Sequence, residues 1–258
     1  MEGRYVLVTA ASKGLGKAVA EGFAAEGANV MIASRNADQL AEAAEQIRAS
    51  ARGKVYTRVA DVSNKTDVEA LFKEVSERFG VLDTLVTNAG GPPGGTFEST
   101  TEEAWENAFY ANFMSVVRLT KQALPLFRAR GGGRVVHIAS SSIKQPIEGL
   151  VLSNAFRTGI MGLSKTMAIE LARDNILVNT VGPGRIGTDR TLHLDEMKAT
   201  AAGVPLESIQ AKSRENIPLG RYGTPQEFAK HIVFLGSSAN TYVTGQALLV
   251  DGGMIRAF

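Results

Sequence analysis

Along the 258-residue chain, short apolar runs rich in β-branched residues alternate with segments of helical period, and this alternation constrains the fold most. It is the pattern of a parallel sheet whose strands are joined by crossover helices. The expected strands are Tyr5–Thr9, Asn29–Ala33, Val55–Ala60, Leu82–Thr87, Arg134–Ala139, Ile176–Val181 and Ala247–Val250. Between them, Leu15, Val19 and Phe23 step by four up to Gly27, and Leu40, Ala43, Ala44 and Ile47 form a second stripe. Val68, Leu71, Phe72, Val75 and Phe79 make a third, and a long tract with Trp105, Phe109 and Phe113 precedes the fifth strand. Helices near 155–173 and 225–235 complete the set. The result is α/β, a doubly wound seven-stranded parallel sheet with helices on both faces.

No repeat or linker divides the chain, and the clusters Gly90–Gly95 and Gly131–Gly133 are short enough to be loops. Residues 1–258 therefore read as one domain. The stretch at about 189–218 is polar and weakly helical and follows the end of a strand. Ligands bind outside the carboxyl ends of such strands, so this stretch is expected to be a substrate lid. The 28 basic and 26 acidic residues are interspersed, leaving a net charge of +2 and no basic run for a nucleic acid. The lack of cysteine excludes disulfides, thiolate catalysis and cysteine-ligated metals, and no metal site is expected. No stretch approaches 18 apolar residues, and the reading is of a cytoplasmic protein without a membrane partner.

The first strand runs into Thr9-Ala10-Ala11-Ser12-Lys13-Gly14-Leu15-Gly16, with Leu15 opening a helix. Glycines let the backbone approach a phosphate, and the free N–H groups and positive dipole end of the helix favour a pyrophosphate. This is the signature of a dinucleotide-binding Rossmann domain. Strand two ends Ser34-Arg35-Asn36 without an acid for a ribose diol, and Lys13 lies in the turn, so two cations favour a 2′-phosphate. NADP(H) is the expected cofactor, ahead of NAD(H).

The spacing of the turn resembles the short-chain dehydrogenase/reductase family, and the resemblance covers the whole chain. Ala10 stands where the family's first glycine usually is, a position that prefers a permissive backbone. Other landmarks follow in order: Asp61-Val62, Asn88-Ala89-Gly90, Asn112, Ser140, and Pro183-Gly184 with Thr188. The tail from Gly220 to Pro225, Thr244-Gly245 and Val250 to Gly253 is similar to the branch containing 3-oxoacyl-carrier-protein reductases. The resemblance implies that Asp61 bonds the adenine amino group, Val62 lines its pocket, and Asn88, Ala89 and Gly90 flank the adenosine ribose. It also puts Pro183, Gly184, Ile186 and Thr188 at the nicotinamide end. A homotetramer built through helices near 101–128 and 154–173 and the last strand is a further implication.

The catalytic pattern departs from the family. Carbonyl reduction needs a proton donor beside the developing alkoxide, and related enzymes use Tyr-x-x-x-Lys with a serine thirteen residues upstream. The register fixed by Gly162 to Lys165 places Ser153 at the tyrosine position and Arg157 at the lysine position, with Ser140 as the upstream serine. The five tyrosines are Tyr5, Tyr56, Tyr110, Tyr222 and Tyr242, so no shift of register restores the phenol. Ser140, Ser153, Arg157 and Asn112 are the candidate catalytic group, giving oxyanion stabilisation without an efficient acid. His137 reads as buried structure, Lys144 and Glu148 as loop residues facing substrate or solvent, and Tyr110 as core. Without a lysine, Asn112 is expected to lose its usual connection. The expected activity is NADPH-linked reduction of a small-molecule carbonyl with an altered acid. A catalytically silent NADP(H)-binding protein, or non-redox chemistry at Ser140, Ser153 and Arg157, are the alternatives.

Overall fold

In the first strand Val6 and Val8 face one way and Leu7 the other, and every neighbouring strand repeats that division, so the core lies in two layers. The computed structural model describes residues 1–257. Its strands are β1 Tyr5–Thr9, β2 Asn29–Ser34, β3 Val55–Val59, β4 Thr84–Thr87, β5 Gly133–Ile138, β6 Ile176–Pro183 and β7 Ala247–Val250. All pair in parallel, in the order β3-β2-β1-β4-β5-β6-β7. On one face, α1 (Gly14–Ala25), α2 (Ala37–Arg48) and α9 (Pro225–Gly236) bury Phe23, Leu40, Ile47, Phe228 and Ile232 against Val6, Val8 and Val136. On the other, α3 (Lys65–Phe79), α5 (Ser115–Arg130) and α6 (Val151–Glu170) cover Leu7, Leu85, Val135 and Val178. The strand order reverses between β1 and β4, which opens a crevice at their carboxyl ends.

Most helices that start at this end of the sheet are closed by a side chain. Asn36 accepts from the Gln39 N–H, Asn64 from the Thr66 and Asp67 N–H groups, and Thr224 with Glu227 forms a capping box behind Pro225. Helix α1 differs: Lys13 at its start makes no capping bond, and no acid lies in its first turn. Its first N–H groups face the crevice without a protein partner of that kind, which is what an anion site requires.

The structure sharpens three readings of the elements. The tract before β5 is not one regular helix: α4 (Glu102–Phe109) passes through a π-turn, Tyr110–Met114, into α5. The stretch at 189–218 holds two helices, α7 (Asp189–Ala202) and α8 (Leu206–Glu215), where the sequence period was weak because few of their residues are buried. Helix α6 starts at Val151, four residues earlier than the apolar stripe alone indicated. Among the described residues no helix is long and apolar enough to cross a membrane.

Candidate functional site

Thr9 and Asn88 tie the ends of β1 and β4 together at the point where the strand order reverses. The Thr9 hydroxyl donates to the Asn88 carbonyl at 2.7 Å, and the Asn88 N–H donates back to the hydroxyl at 2.9 Å. The Asn88 amide donates to the Ala10 carbonyl at 3.2 Å. That carbonyl also explains Gly16, since a Cβ there would stand 2.3 Å from it. Gly14 has φ +56° and Ala10 has φ +46°, so the alanine at the first glycine position is held in the left-handed region. A left-handed residue with a Cβ costs about 1 to 2 kcal/mol, which the surrounding bonds to the turn sustain.

The other residues expected to meet the cofactor are placed as follows. Ser12 and Ser34 share a hydrogen bond of 2.9 Å, joining the turn to the end of β2. Arg35 is 75% exposed and stands 3.8 Å from Asp61, a loose pair that leaves most of the guanidinium in solvent. Lys13 is exposed. One Asp61 oxygen accepts from the Ser63 N–H at 2.9 Å and the Ser63 hydroxyl at 2.7 Å, which fixes the carboxylate beside half-buried Ser63. Val62 is buried, Leu15 packs on the core, and Ala89 and Gly90 continue from Asn88 along the crevice.

The opposite wall comes from far along the chain. Gly184 donates to the Val250 carbonyl at 3.0 Å, and a Cβ on it would strike the Asp251 side chain at 2.5 Å. Ile186 is buried and paired with Gly223, and the Gly187 N–H donates to the Gly223 carbonyl at 2.8 Å. The segment 220–225 is thus a brace for the strand end Pro183 to Thr188. Thr188 caps α7, and its methyl lies 3.7 Å from where a Gly14 Cβ would be. The phosphate turn and the expected nicotinamide wall are therefore in direct proximity. An open helix terminus, glycine-dependent close approach, and two exposed cations at the β2 side fit a dinucleotide with an extra phosphate.

At the catalytic end, Ser140 follows β5 directly, and its Oγ accepts from the Ser142 N–H at 3.1 Å, holding the following turn. Ser153 lies in the first turn of α6, half-buried, and its hydroxyl engages no other group among the described residues. Arg157 is 5% exposed. It donates to the Ile138 carbonyl at 2.9 Å, to the Ala89 carbonyl at 3.4 Å and to Asn112 Oδ1 at 2.8 Å. In place of a lysine at the far end of a relay, the guanidinium reaches Asn112 directly, and the π-turn carries the Asn112 side chain inward, 2% exposed. No carboxylate lies within 4 Å of Arg157 among the described residues. Burial and then the charge of Arg190 pull its pKa down to about 10, still high enough to keep it cationic near neutrality.

The substitute acids sort clearly. His137 is fully buried, with Nδ1 bonded to the Thr87 hydroxyl at 2.7 Å and its pKa pushed by burial to about 3, so it is neutral and structural. Lys144 and Glu148 lie exposed in the loop after Ser140. Tyr110 is not core: it is 46% exposed, with Arg118 stacked over its ring at 5.4 Å. It does point away from Asn112, but Asn112 is the inward residue, so the opposite direction is solvent.

Sequence reasoning missed the residues that fasten the 189–218 stretch. Arg185 pairs with buried Asp195 of α7, and the Tyr222 hydroxyl donates to the other Asp195 oxygen at 2.8 Å. Arg190 donates to the Pro92 carbonyl at 2.6 Å, bridging the first turn of α7 to the loop after β4. The only local signal was the position of Arg190, two residues beyond the Thr188 landmark.

A family model described as enoyl-(acyl carrier protein) reductase matches residues 9–255. The chain is 34% identical to the 3-oxoacyl-[acyl-carrier-protein] reductase FabG of Thermotoga maritima over 262 residues, covering 99% of each. It superposes on L-sorbose reductase from Gluconobacter frateurii, solved with NADPH and L-sorbose, with a TM-score of 0.94 and 34% identity, covering 100% and 98% of the two chains. An actinorhodin polyketide ketoreductase variant with NADPH gives a TM-score of 0.92 at 33% identity, covering 97% of each chain.

Proposed function

The chain belongs to the short-chain dehydrogenase/reductase family, in the branch of the 3-oxoacyl-carrier-protein reductases, and from that premise we propose that it reduces the carbonyl group of a small molecule to an alcohol with NADPH. NADPH supplies the hydride when bound. The observation that carries the reading is that Arg157 bonds Asn112, the end of β5 at Ile138 two residues before Ser140, and Ala89 in the segment after β4, the strand at the order reversal.

In this reading the Ser140 and Ser153 hydroxyls donate hydrogen bonds to the carbonyl oxygen as negative charge builds on it. Arg157, itself buried and held by Asn112 and the Ile138 carbonyl, contributes a fixed positive charge, while half-buried Ser153 keeps access to water. Neither hydroxyl matches a phenol as an acid. The Ser153 hydroxyl is free of other bonds, so it passes its proton to the alkoxide and recovers one from water. Loss of a general acid costs about 10²–10⁴ in rate, and a slow enzyme is the expected result.

Lys13, Arg35, Ser12 and Ser34 hold the adenosine phosphates in this assignment, with Gly14, Leu15 and Gly16 at the pyrophosphate. Asp61 and Val62 take the adenine. Asn88, Ala89 and Gly90 flank the ribose, and Pro183, Gly184, Ile186 and Thr188 take the nicotinamide. The homotetramer that the family resemblance implies would cover the exposed apolar residues Phe109, Ile169 and Leu248, and molar mass by light scattering checks it directly.

A catalytically silent NADP(H)-binding protein is the second reading, favoured by the rigid tie between Arg157 and Asn112 and by the missing phenol. Fluorescence titration with NADPH and NADH, followed by NADPH oxidation with ketones, diketones and 3-oxoacyl thioesters across pH, separates the two. The reductase reading expects tighter NADPH than NADH binding and measurable turnover. Tight binding with no oxidation on any substrate gives the silent reading, and failure to bind NADPH removes both.

A further inference from the structure

Two guanidinium groups reach the same stretch of chain at the catalytic end of the crevice. Arg157 donates to the Ala89 carbonyl at 3.4 Å, and Arg190, three residues further along that stretch, donates to the Pro92 carbonyl at 2.6 Å. Gly91 lies between them with no side chain to intervene, and a Cβ there would lie 3.1 Å from the Arg190 Nε. Among the described residues neither guanidinium has a carboxylate within 4 Å, whereas Arg185, on the loop leading into α7, is paired with buried Asp195. The bonds Arg157 makes all end on neutral oxygens. Arg157, 5% exposed, keeps most of its desolvation cost because its acceptors are neutral, and an anion entering beside it offsets that cost; Arg190 is exposed, so an anion coming from solvent meets it first.

The cofactor does not supply that anion in the assignment above. Its pyrophosphate belongs to the α1 terminus, and its extra phosphate to Lys13 and Arg35 at the β2 side. The acids nearest Arg190 along the chain do not neutralise it either: Asp195 is held by Arg185 and Tyr222, and Asp189 is exposed and in no ion pair.

Resting on the reductase reading, we propose that the substrate is a keto acid: a carbonyl compound with a free carboxylate, which Arg190 binds at the mouth of the crevice next to Arg157. Ser140 and Ser153 meet the ketone oxygen, and the carboxylate lies toward Gly91 and α7. A neutral ketone or a thioester lacks the group these two cations are placed to receive.

Isothermal titration of 2-oxobutanoate, 3-oxobutanoate and 4-oxopentanoate against their methyl esters, with and without NADPH, tests the assignment. At least one acid is expected to bind about 30-fold tighter than its ester, the range of a charge-assisted contact. Arg190→Gln should bring that ratio to within about threefold, and Arg190→Lys should restore part of it, with the NADPH dissociation constant changed less than about twofold. Equal binding of every acid and its ester overturns the proposal. So does an Arg190→Gln variant whose NADPH affinity falls as far as its acid affinity, since Arg190 then serves the cofactor. Acid preference with no turnover leaves the carboxylate site standing and removes only the reductase reading.

Discussion

The Thr9–Gly16 turn and the Ser140–Arg157 segment are both expected at the same crevice, yet one carries its family's turn spacing almost intact and the other lies in a stretch, 111–221, that holds no tyrosine. At the turn, the single departure, Ala10, leaves the backbone in the conformation a glycine would take, φ +46°, with its carbonyl held by Asn88. At the other end, the register we propose puts Ser153 and Arg157 in the places of the family's phenol and amine, and Arg157 is drawn into a web with Ile138, Ala89 and Asn112. Backbone geometry tolerates a methyl group where its neighbours hold the strain. Proton transfer has no such tolerance, because it depends on the chemistry of one particular group. A protein of this kind is expected to hold its cofactor well and to use it slowly.

The widest test of that contrast is Ser153→Tyr combined with Arg157→Lys. If the catalytic end has lost only its acid, ketone reduction should rise by about 10²–10⁴, read as NADPH oxidation, with cofactor affinity little changed. No gain means that the pocket has diverged beyond those two side chains.

The turn can be broken in a complementary way with Gly16→Ala. Its Cβ would lie 2.3 Å from the Ala10 carbonyl and 2.8 Å from the Asn88 amide, so the turn must open. NADPH affinity should fall about 100-fold, near 2.7 kcal/mol, while circular dichroism stays native. Unchanged affinity would separate the turn from cofactor binding.

Arg35→Gln sharpens the cofactor side. The ratio of NADPH to NADH affinity should drop about tenfold, some 1.4 kcal/mol, with NADH binding itself nearly constant. Equal losses for both would show that Arg35 does not discriminate between them.

The smallest effect is expected at Ala10→Gly. Relief of the left-handed strain, set against the greater freedom of glycine in the unfolded chain, should leave a gain of about 0.5 kcal/mol. Differential scanning calorimetry would read this as a rise in Tm of roughly 1 to 2 °C. A fall in Tm would mean that the alanine methyl packs usefully in its turn.

Much of this was legible in the chain itself because it is local. The stripe of Leu15, Val19 and Phe23 and the run Tyr5–Thr9 specify a strand, a turn and a helix from neighbours within a few residues of one another, and the structure has all three. Tyr110 was misread for a related reason: its direction relative to Asn112 follows from helical geometry, but which of the two faces the core depends on what packs outside that helix.

The sequence by itself determined the parallel α/β sheet, the strand–turn–helix corner at Thr9–Gly16 and the absence of any tyrosine between 110 and 222, since each follows from periodicity, spacing or composition. Only the tertiary structure decided that Arg157 meets Asn112, that Thr188 lies against Gly14, and that Arg190 faces Pro92 with no carboxylate within 4 Å among the described residues. Those pairings join residues separated by 45, 174 and 98 positions, and they exist only once the sheet order places distant loops at one end. The side-chain lengths that make each contact close have no counterpart in any local pattern.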